Sequence, residues 1–199
     1  MGTTVVAVVN YALELIASQA QITGLTDGSA AANAASVVYA PTVQLMLREL
    51  DPDFSRFTGP LSVAVTPSNL PWWTYEYTYP ANCLRVRQIR PPASGAGSLA
   101  DPYNPVPVRA NVGVDTIGST LTKVILTNQQ NALAVYTTSS VTESQWDTVF
   151  AEAVARRLGN PLGLALSGRP DLAKQLLEEA TQIAMTGGAV DESSMRQFP

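Results

Sequence analysis

The centre of the fold is decided by residues 70–90, Leu-Pro-Trp-Trp-Thr-Tyr-Glu-Tyr-Thr-Tyr-Pro-Ala-Asn-Cys-Leu-Arg-Val-Arg-Gln-Ile-Arg. Thr and Glu alternate there with four aromatic residues, Trp73, Tyr75, Tyr77 and Tyr79. An alternation of period two predicts a strand with one aromatic face and one polar face. Pro80 ends this strand because proline has no N–H for a ladder. A second alternation from Leu84 to Arg87 predicts another strand, so the two form a core hairpin or a sheet edge that helices cover.

Segments with helical periodicity lie on both sides of this centre. Apolar residues recur at spacings of three and four in residues 3–20, 29–50, 142–166 and 170–186. Shorter alternating runs predict strands at about 60–66, 72–79, 83–90, 106–112, 121–126 and 132–138. This order predicts an α+β fold: a helical bundle from the N- and C-terminal helices, a central antiparallel β-sheet and an extended C-terminal arm. We assign residues 1–188 to one domain and residues 189–199 to the arm.

Several helix boundaries carry sequence signals. Thr142 and Gln145 match a capping box at the start of the third helix. Pro170 suits the first position of the fourth helix, and the glycine pair at 187–188 suits its end. Pro41 and Pro161 lie inside predicted helices and should kink or split them. The alanine-rich face of the second helix predicts close packing against another helix, which we take to be the first.

Two segments lack the apolar residues of a core and are therefore candidate interfaces. Residues 91–105 are rich in proline and predict a loop that is mobile or draped on a neighbour. Its candidate contact residues are Pro91, Pro92, Leu99 and Tyr103. Residues 189–199 predict a free tail or an arm that becomes ordered on a partner. The candidate contact residues of this arm are Ala189, Val190, Asp191, Met195, Arg196, Phe198 and Pro199.

Composition restricts the class of protein. Charged residues make up 14% of the chain, compared with about 25% in average soluble domains. Such a surface suits permanent contacts, or small polar residues simply solvate it. The net charge of −4 disfavours a nucleic-acid-binding protein, which needs a basic patch. The arginines at 85, 87 and 90 form the one basic cluster, and we expect them to pair with carboxylates.

Cysteine and hydrophobicity add two further expectations. Cys83 is the only cysteine, which excludes an intramolecular disulfide, and its apolar neighbours predict a small core residue. No uncharged apolar run reaches about 18 residues, so we expect no membrane span. The N-terminal apolar segment also lacks the basic start and cleavage site of a signal peptide.

The residue types of most catalytic and metal sites are missing. The chain has no histidine, which removes the commonest general base and the commonest metal ligand. The adjacent acids Glu178 and Glu179 suit a solvated helix face. Residues 95–100 have the glycine spacing of a dinucleotide-binding turn, but Asp101-Pro102 follows where that turn requires a helix. We therefore expect no enzyme, no catalytic, metal-binding or cofactor-binding residue, and no cofactor.

Four segments together carry a resemblance to a known family. The most specific is the centre, where an aromatic strand runs through Pro80 to Cys83 and an arginine–valine strand. Residues 9–13, Val-Asn-Tyr-Ala-Leu, and residues 25–29, Leu-Thr-Asp-Gly-Ser, carry it near the start, and a helix pair with a small-residue tail carries it at the end. In these segments the chain resembles the phage head-to-tail adaptors of the kind called tail tubular protein A. The likeness spans nearly the whole chain.

The resemblance implies a structural virion protein without enzymatic activity. About twelve copies would form a ring beneath the portal protein of a capsid, after synthesis in the host cytoplasm. The ring would extend the channel for DNA ejection and offer a platform to tail or nozzle proteins. Residues 189–199 would dock on the portal, and loop 91–105 would contact a neighbouring subunit or a tail protein. An acidic chain suits a lumen through which double-stranded DNA slides without binding.

Two alternatives remain open. The first is a head-completion or connector protein of a long-tailed phage, which is also a structural ring. The second belongs to another class: a module that binds a small ligand or a peptide on the aromatic face of its central strand. A ligand-induced change in tryptophan fluorescence would favour the second alternative.

Overall fold

The structure is a computed structural model that describes residues 3–65, 68–92 and 108–194 of the 199-residue chain, with only the backbone described at 184 and 186–194. Its fold class is α+β, as predicted, with helices and two antiparallel sheets. The chain divides into two compact units. The helical unit is formed by the segments before Ser55 and after Ser140, and the sheet unit is formed by Ser55–Ser140.

The described part of the helical unit has four α-helices, and α3 is its central element. Their bounds are α1 Val5–Leu15, α2 Ala30–Leu50, α3 Thr148–Leu162 and α4 Pro170–Ser194. The other three helices each pack on α3. The prediction that the alanine-rich face of α2 packs mainly on α1 is therefore wrong, although Ala31 and Ala35 are buried as expected. Small side chains allow close approach between helices but do not select the partner.

The first helix is shorter than predicted. It is capped by Thr4, whose hydroxyl accepts a hydrogen bond from Ala7 N at 3.2 Å. It ends at Leu15 rather than at residue 20, because Ala17 takes the left-handed conformation with φ of +54°. Alanine at a left-handed position is unfavourable and leaves no sequence signal, so the pattern could not reveal this end.

Asp27 organises the connection between α1 and α2. Its carboxylate accepts hydrogen bonds from Thr23 N at 2.8 Å and from Ser29 N at 2.9 Å. These bonds, chiefly those from Ser29, lower the pKa of Asp27 to about 2. Gly28 has φ of +81°, which glycine adopts without a steric penalty. The segment thereby positions Ser29, whose hydroxyl caps α2 by accepting from Ala32 N at 3.1 Å.

The third helix begins later than predicted. Thr142 N donates to Gln145 Oε1 at 2.9 Å, as in a capping box, but this pair opens a 3₁₀ turn at Glu143–Gln145. α3 starts at Thr148, where Asp147 accepts a hydrogen bond from Phe150 N at 2.6 Å. A carboxylate at this position is favoured because it is charged and faces the positive end of the helix dipole.

Neither proline splits its helix. α2 continues through Pro41, and α3 continues through Pro161 to Leu162. A π-helical turn, Gly163–Ser167, follows directly and connects α3 to α4. Such turns often accompany a local disturbance of helical hydrogen bonding, which proline causes because it lacks an N–H.

The fourth helix begins as predicted and ends later. Pro170 is its first residue, but the helix continues through the glycine pair at 187–188 to Ser194. The predicted end of the helix at these glycines is therefore wrong, whereas the assignment of residues 189–199 to a docking arm stays a prediction. Each glycine costs a helix about 1 kcal/mol, which does not by itself terminate it.

Two glycines allow α3 and the turn after it to approach their neighbours closely. A Cβ at Gly159 would lie 2.7 Å from Leu176 Cδ1 of α4. A Cβ at Gly163 would lie 3.3 Å from Ile16 Cγ2 and 3.5 Å from Ala173 Cβ. The helical unit is therefore packed tightly along this side of α3, with less space at Gly159 than at Gly163.

The sheet unit has seven strands in its described part. Their bounds are β1 Arg56–Pro60, β2 Val63–Val65, β3 Tyr75–Thr78, β4 Cys83–Arg90, β5 Ala110–Ile117, β6 Thr120–Thr127 and β7 Leu133–Thr138. They form two antiparallel sheets, one in the order β1-β7-β4 and the other in the order β2-β3-β6-β5. The single central sheet of the prediction is thus replaced by two sheets, and the predicted strand at 60–66 is replaced by β1 and β2.

The predicted hairpin between the aromatic strand and the arginine strand is wrong. β3 pairs with β2 and β6, whereas β4 pairs with β7 in the other sheet. The Pro-Ala-Asn corner therefore carries the chain from one sheet to the other. Asn82 holds it there, because its amide donates to Thr138 Oγ1 of β7 at 2.9 Å. Cys83 N closes the turn by donating to Pro80 O at 3.0 Å.

The core of the sheet unit combines residues of both sheets around Tyr77. The buried members of this cluster are Leu61, Tyr77, Ile89, Ile125, Ala132, Ala134 and Tyr136. Cys83 packs against it and is half-buried, as the prediction of a small core residue required. Burial raises the pKa of the Cys83 thiol, which makes it a poor nucleophile.

Candidate interaction surfaces

The segments predicted to be interfaces fall mostly outside the described residues. Pro91 and Pro92 follow β4 and are half-buried, while Leu99 and Tyr103 lie outside the description. In the predicted arm, positions 189–191 belong to the backbone of α4, and Met195, Arg196, Phe198 and Pro199 lie outside the description. The contacts expected of these candidates therefore stay predictions, and the surfaces of the described residues were not among them.

The aromatic face of β3 is used mainly for the core. Tyr77 is completely buried, and its hydroxyl donates to Gln129 O at 2.8 Å and accepts from Ala132 N at 3.3 Å. Tyr75 packs on it with ring centroids 6.0 Å apart. A ligand cannot reach Tyr77 in this fold, which argues against a binding site on the whole aromatic face.

Two further rings of the aromatic alternation, Trp73 and Tyr79, each lie against a cation. The guanidinium of Arg109 lies 5.3 Å from the centroid of the Trp73 ring, and Lys123 Nζ lies 3.7 Å from the centroid of the Tyr79 ring. Such cation–π contacts stabilise a fold by about 0.5–1 kcal/mol each at exposed sites. Arg109 and Lys123 are therefore held against the sheet unit that carries them.

Among the described residues of the sheet unit, Trp72 is the most exposed large apolar residue, although the strand alternation points to its neighbour Trp73. Its side chain is 84% exposed and its φ is +77°, which is strained for a residue other than glycine. Asn128 fixes this turn: its Oδ1 accepts from Thr74 N at 2.7 Å, and its Nδ2 donates to Trp72 O at 3.3 Å. The fold therefore presents one tryptophan to solvent on a braced turn, which is typical of an anchor residue in an interface.

Glu76 is a buried acid that the alternation placed on the polar face of its strand. It is completely buried because the segment Ser68–Leu70 covers it. Its Oε1 accepts from Ser68 Oγ at 2.6 Å and from Asn69 N at 2.8 Å, while no N–H or O–H group of the described residues donates to Oε2. The carboxylate thus fixes this segment over the sheet.

Asp115 joins the same network from β5. Asn69 Nδ2 donates to Asp115 Oδ2 at 3.1 Å, and Thr116 N donates to Asp115 Oδ1 at 2.7 Å. These hydrogen bonds, first the one from Asn69, lower the pKa of Asp115. Asn69 therefore bridges two acids, and no group of three or more metal-ligating side chains occurs among the residues that the structure describes.

Each unit also exposes apolar side chains in a regular pattern. In the helical unit, Val37, Pro41 and Leu45 are exposed at a spacing of four along α2, which places them on one stripe. In the sheet unit, Val112 and Val114 of β5 and Leu121 of β6 are exposed, with Leu121 exposed to 73%. We call these two surfaces the α2 stripe and the β5–β6 patch.

A groove lies between β4 and β5 of the sheet unit. Its volume is about 370 Å³, and its walls include Val86, Arg87 and Ile89 on one side and Ala110 and Val112 on the other. Ile125 of β6 also lines it. Two of the lining residues are joined directly, because Val108 N donates to Ile89 O at 3.2 Å.

The two units differ strongly in charge. The sheet unit, residues 55–140, has six basic and three acidic residues, whereas the rest of the chain has six basic and thirteen acidic residues. Their net charges are therefore +3 and −7, which the overall value of −4 conceals. Within the helical unit, Arg156 of α3 forms a salt bridge with Glu152 at 2.8 Å and another with Glu179 of α4. Glu179, which was predicted to lie on a solvated helix face, therefore also connects two helices.

Comparison with models of known protein families gave no match, and comparison with curated proteins also found no relative. Among the described residues, no helix is both long enough and apolar enough to cross a membrane.

Proposed function

We propose that this chain is a structural virion protein, a head-to-tail adaptor that forms a ring beneath the portal and carries the tail proteins. It acts without catalysis and without a cofactor, and it reaches the virion after synthesis in the host cytoplasm. The resemblance of residues 70–90 and of the terminal segments to such adaptors supports this role. The alternative of a connector in a long-tailed phage rests on the same features.

One observation carries the proposal: each unit exposes its own apolar surface. A ring of identical subunits needs two different faces that fit each other, because each copy contacts its two neighbours through opposite sides. The α2 stripe and the β5–β6 patch are two such different surfaces on one chain. An exposed, braced Trp72 adds an anchor of the kind that dominates binding energy in interfaces.

Charge supports the same arrangement. A sheet unit with a net charge of +3 attracts the helical unit of another copy, which has a net charge of −7. Electrostatic attraction of this kind speeds association and selects the orientation of the partners. It also disfavours contact between two helical units. The acidic unit would repel the phosphates of DNA that passes through the ring.

The test is a sedimentation assay with the portal ring of the same phage. We expect the full chain to sediment with the portal, and a chain truncated after Gly188 to stay in the supernatant.

The same assay tests the two apolar surfaces. Val37→Lys and Leu121→Lys should reduce the number of bound copies per portal. Val37→Thr and Leu121→Thr are the matched controls and should still allow the ring to close. Docking that survives the truncation would overturn the role of the C-terminal segment, and full rings from both lysine variants would overturn the assigned faces.

A further inference from the structure

The outer strands of the two sheets differ in how well they are protected against pairing with another chain. β1 ends in Pro60, and β2 has three residues and a register shift against β3. β4 has two register shifts against β7. β5 pairs with β6 in one continuous register over its eight residues, which include no proline and no lysine. Natural sheets use prolines, bulges, short strands and lysines to prevent pairing at an edge, so β5 is the least protected edge among the described strands.

The pairing with β6 determines which main-chain groups of β5 face outward. A two-residue turn joins the two strands, and Ile117 lies opposite Thr120 at its base. Hydrogen-bonded and non-hydrogen-bonded pairs alternate from such a turn, so the N–H and C=O groups of Gly113 face β6 and those of Val112 and Val114 face outward. Within the described ranges, no hydrogen bond to these outward groups occurs. They are therefore available to another strand.

The available part of this edge has defined ends. At the start, Val108 N donates to Ile89 O at 3.2 Å, so the chain just before β5 is already hydrogen-bonded to β4. At the other end the chain turns into β6 after Ile117. Residues 110–116 lie between these ends, and Gly113 is the middle residue of this stretch. An antiparallel second copy that uses the whole stretch is therefore related to the first by a two-fold axis at Gly113.

The sequence of β5 is complementary to itself in this register. Val112 of one copy lies opposite Val114 of the other, and both side chains are exposed in the single chain, to 41% and 55%. On the other face of the strand, the amide of Asn111 lies opposite the carboxylate of Asp115, which can accept about four hydrogen bonds. Gly113 meets its own copy at the axis. The Cα atoms of such a non-hydrogen-bonded pair are only about 4.5 Å apart, and glycine has no side chain to hinder this approach.

We propose that the edge of β5 pairs with the same edge of a second copy of this chain, around a two-fold axis at Gly113, so that two four-stranded sheets become one continuous sheet. The outward groups of Val112 and Val114 exchange about four main-chain hydrogen bonds across the axis. One strand pair buries less than the about 1,200 Å² of a stable interface, so the dimer is in equilibrium with the monomer. The two sheet units each have a net charge of +3, so salt should strengthen their association.

The pairing has a consequence for the proposed ring. It covers Val112 and Val114 of the β5–β6 patch, which is one of the two surfaces assigned to contacts between neighbouring subunits. The dimer and that ring contact exclude each other, so the dimer is a form of the free chain that separates before the ring closes. This role rests on the proposed function, whereas the pairing itself does not. The pairing is therefore tested on the free chain, in the absence of the portal.

Sedimentation equilibrium of the full chain tests the pairing. We expect the average mass to rise from 21.1 kDa toward twice this value between about 10 µM and about 1 mM protein. Val114→Pro removes an outward N–H that β6 does not use, as proline does at tolerated edge positions, and should weaken association by about tenfold. Val114→Thr is the matched control, because it keeps the N–H and the branched shape. A constant mass of the parent, or equal association of the parent and Val114→Pro, would overturn the proposal.

Hydrogen exchange measured by nuclear magnetic resonance tests the same edge without any variant. The amides of Val112 and Val114 should exchange about threefold more slowly at a concentration where two thirds of the chains are dimeric. Gly113 is the internal control, because its N–H faces β6 in the monomer and its exchange should change little. Association without slower exchange at Val112 and Val114 would assign the contact to another surface and contradict the pairing.

Disulfide trapping tests the register. Opposite residues of a hydrogen-bonded pair have Cα atoms about 5.5 Å apart, which suits a disulfide, whereas diagonal neighbours are about 7–8 Å apart. With oxidised glutathione as the oxidant, a mixture of Val112→Cys and Val114→Cys chains should therefore cross-link about tenfold faster than either variant alone. The parent chain, which keeps Cys83, is the control for background cross-linking. Cross-linking of either variant alone at the rate of the mixture would overturn the axis at Gly113.

Discussion

Tyr39 and Glu143 are 104 residues apart in the sequence, and the hydroxyl of Tyr39 donates a 2.9 Å hydrogen bond to the Glu143 carboxylate. The bond joins α2 to the turn that precedes α3, and the Tyr39 side chain is buried. It therefore connects the N-terminal and C-terminal segments of the helical unit, which the sheet unit separates in the sequence. Hydrogen bonds to charged groups stabilise folded proteins by about 1.5–3 kcal/mol.

Replacement of Tyr39 tests this connection. Tyr39→Phe should lower the free energy of unfolding by about 1–2 kcal/mol, because it removes the hydroxyl and leaves the ring packed. Urea denaturation followed by circular dichroism measures the change. Glu143→Gln is the control, because it retains an acceptor and should cost less. If Tyr39→Phe and the parent have the same free energy of unfolding, the hydrogen bond does not stabilise the helical unit.

Acid should weaken the connection between α1 and α2 through Asp27. Its pKa is about 2 in the folded chain, compared with an ordinary value of 3.8, so the unfolded chain binds a proton first as the pH falls. The stabilisation is thus complete above about pH 4 and is lost as the pH falls toward 2. The slope of the urea midpoint between these values should be smaller in Asp27→Asn than in the parent. Identical slopes would contradict this role.

Removal of the buried carboxylate of Glu76 should destabilise the sheet unit strongly. Glu76→Ala leaves Ser68 Oγ and Asn69 N without their acceptor, at a cost of about 1–3 kcal/mol for each group that stays buried. Glu76→Gln retains one acceptor oxygen and should lose less than half as much. Thermal unfolding of the two variants gives the comparison. A larger loss in the Gln variant than in the Ala variant would refute the assigned hydrogen bonds.

Added volume at Gly159 should disturb the contact between α3 and α4. Gly159→Val places its branched side chain against Leu176, which is buried, and should cost about 1–3 kcal/mol from overpacking. Gly163→Ala is the matched control, since its nearest contact would be 3.3 Å and the neighbours need to shift only slightly. Denaturant midpoints of both variants provide the measurement, and equal midpoints would contradict the difference in packing.

The sequence predicts which segments are helical better than it predicts which strands pair with each other, and the reason is physical. Helical periodicity identifies a buried face within one segment, and Phe150, Val154 and Leu158 recur on such a face of α3 and are buried. Strand alternation identifies faces but not neighbours. The aromatic strand was found, yet β3 and β4 enter different sheets because the corner at Pro80–Asn82 is pinned to β7 by Asn82.

The candidate surfaces were less predictable than the fold. Glu76 was expected on a polar face, and it is buried because Ser68–Leu70 folds over it, which is a tertiary effect without a local signal. Exposure of Trp72 depends on a left-handed backbone that Asn128 stabilises from 56 residues away. The unequal charges of the two units could have been read from the sequence once the boundaries at Ser55 and Ser140 were known.

Negative-stain imaging of the protein, alone and mixed with the portal ring of its own phage, tests the adaptor role most directly. For an adaptor, we expect an added ring of density beneath the portal, with about twelve subunits that can be counted by symmetry. A matched sample of the chain truncated after Gly188 should show the portal alone. If the full chain stays monomeric and adds no density to the portal at concentrations that saturate ordinary protein interfaces, the proposed function is contradicted.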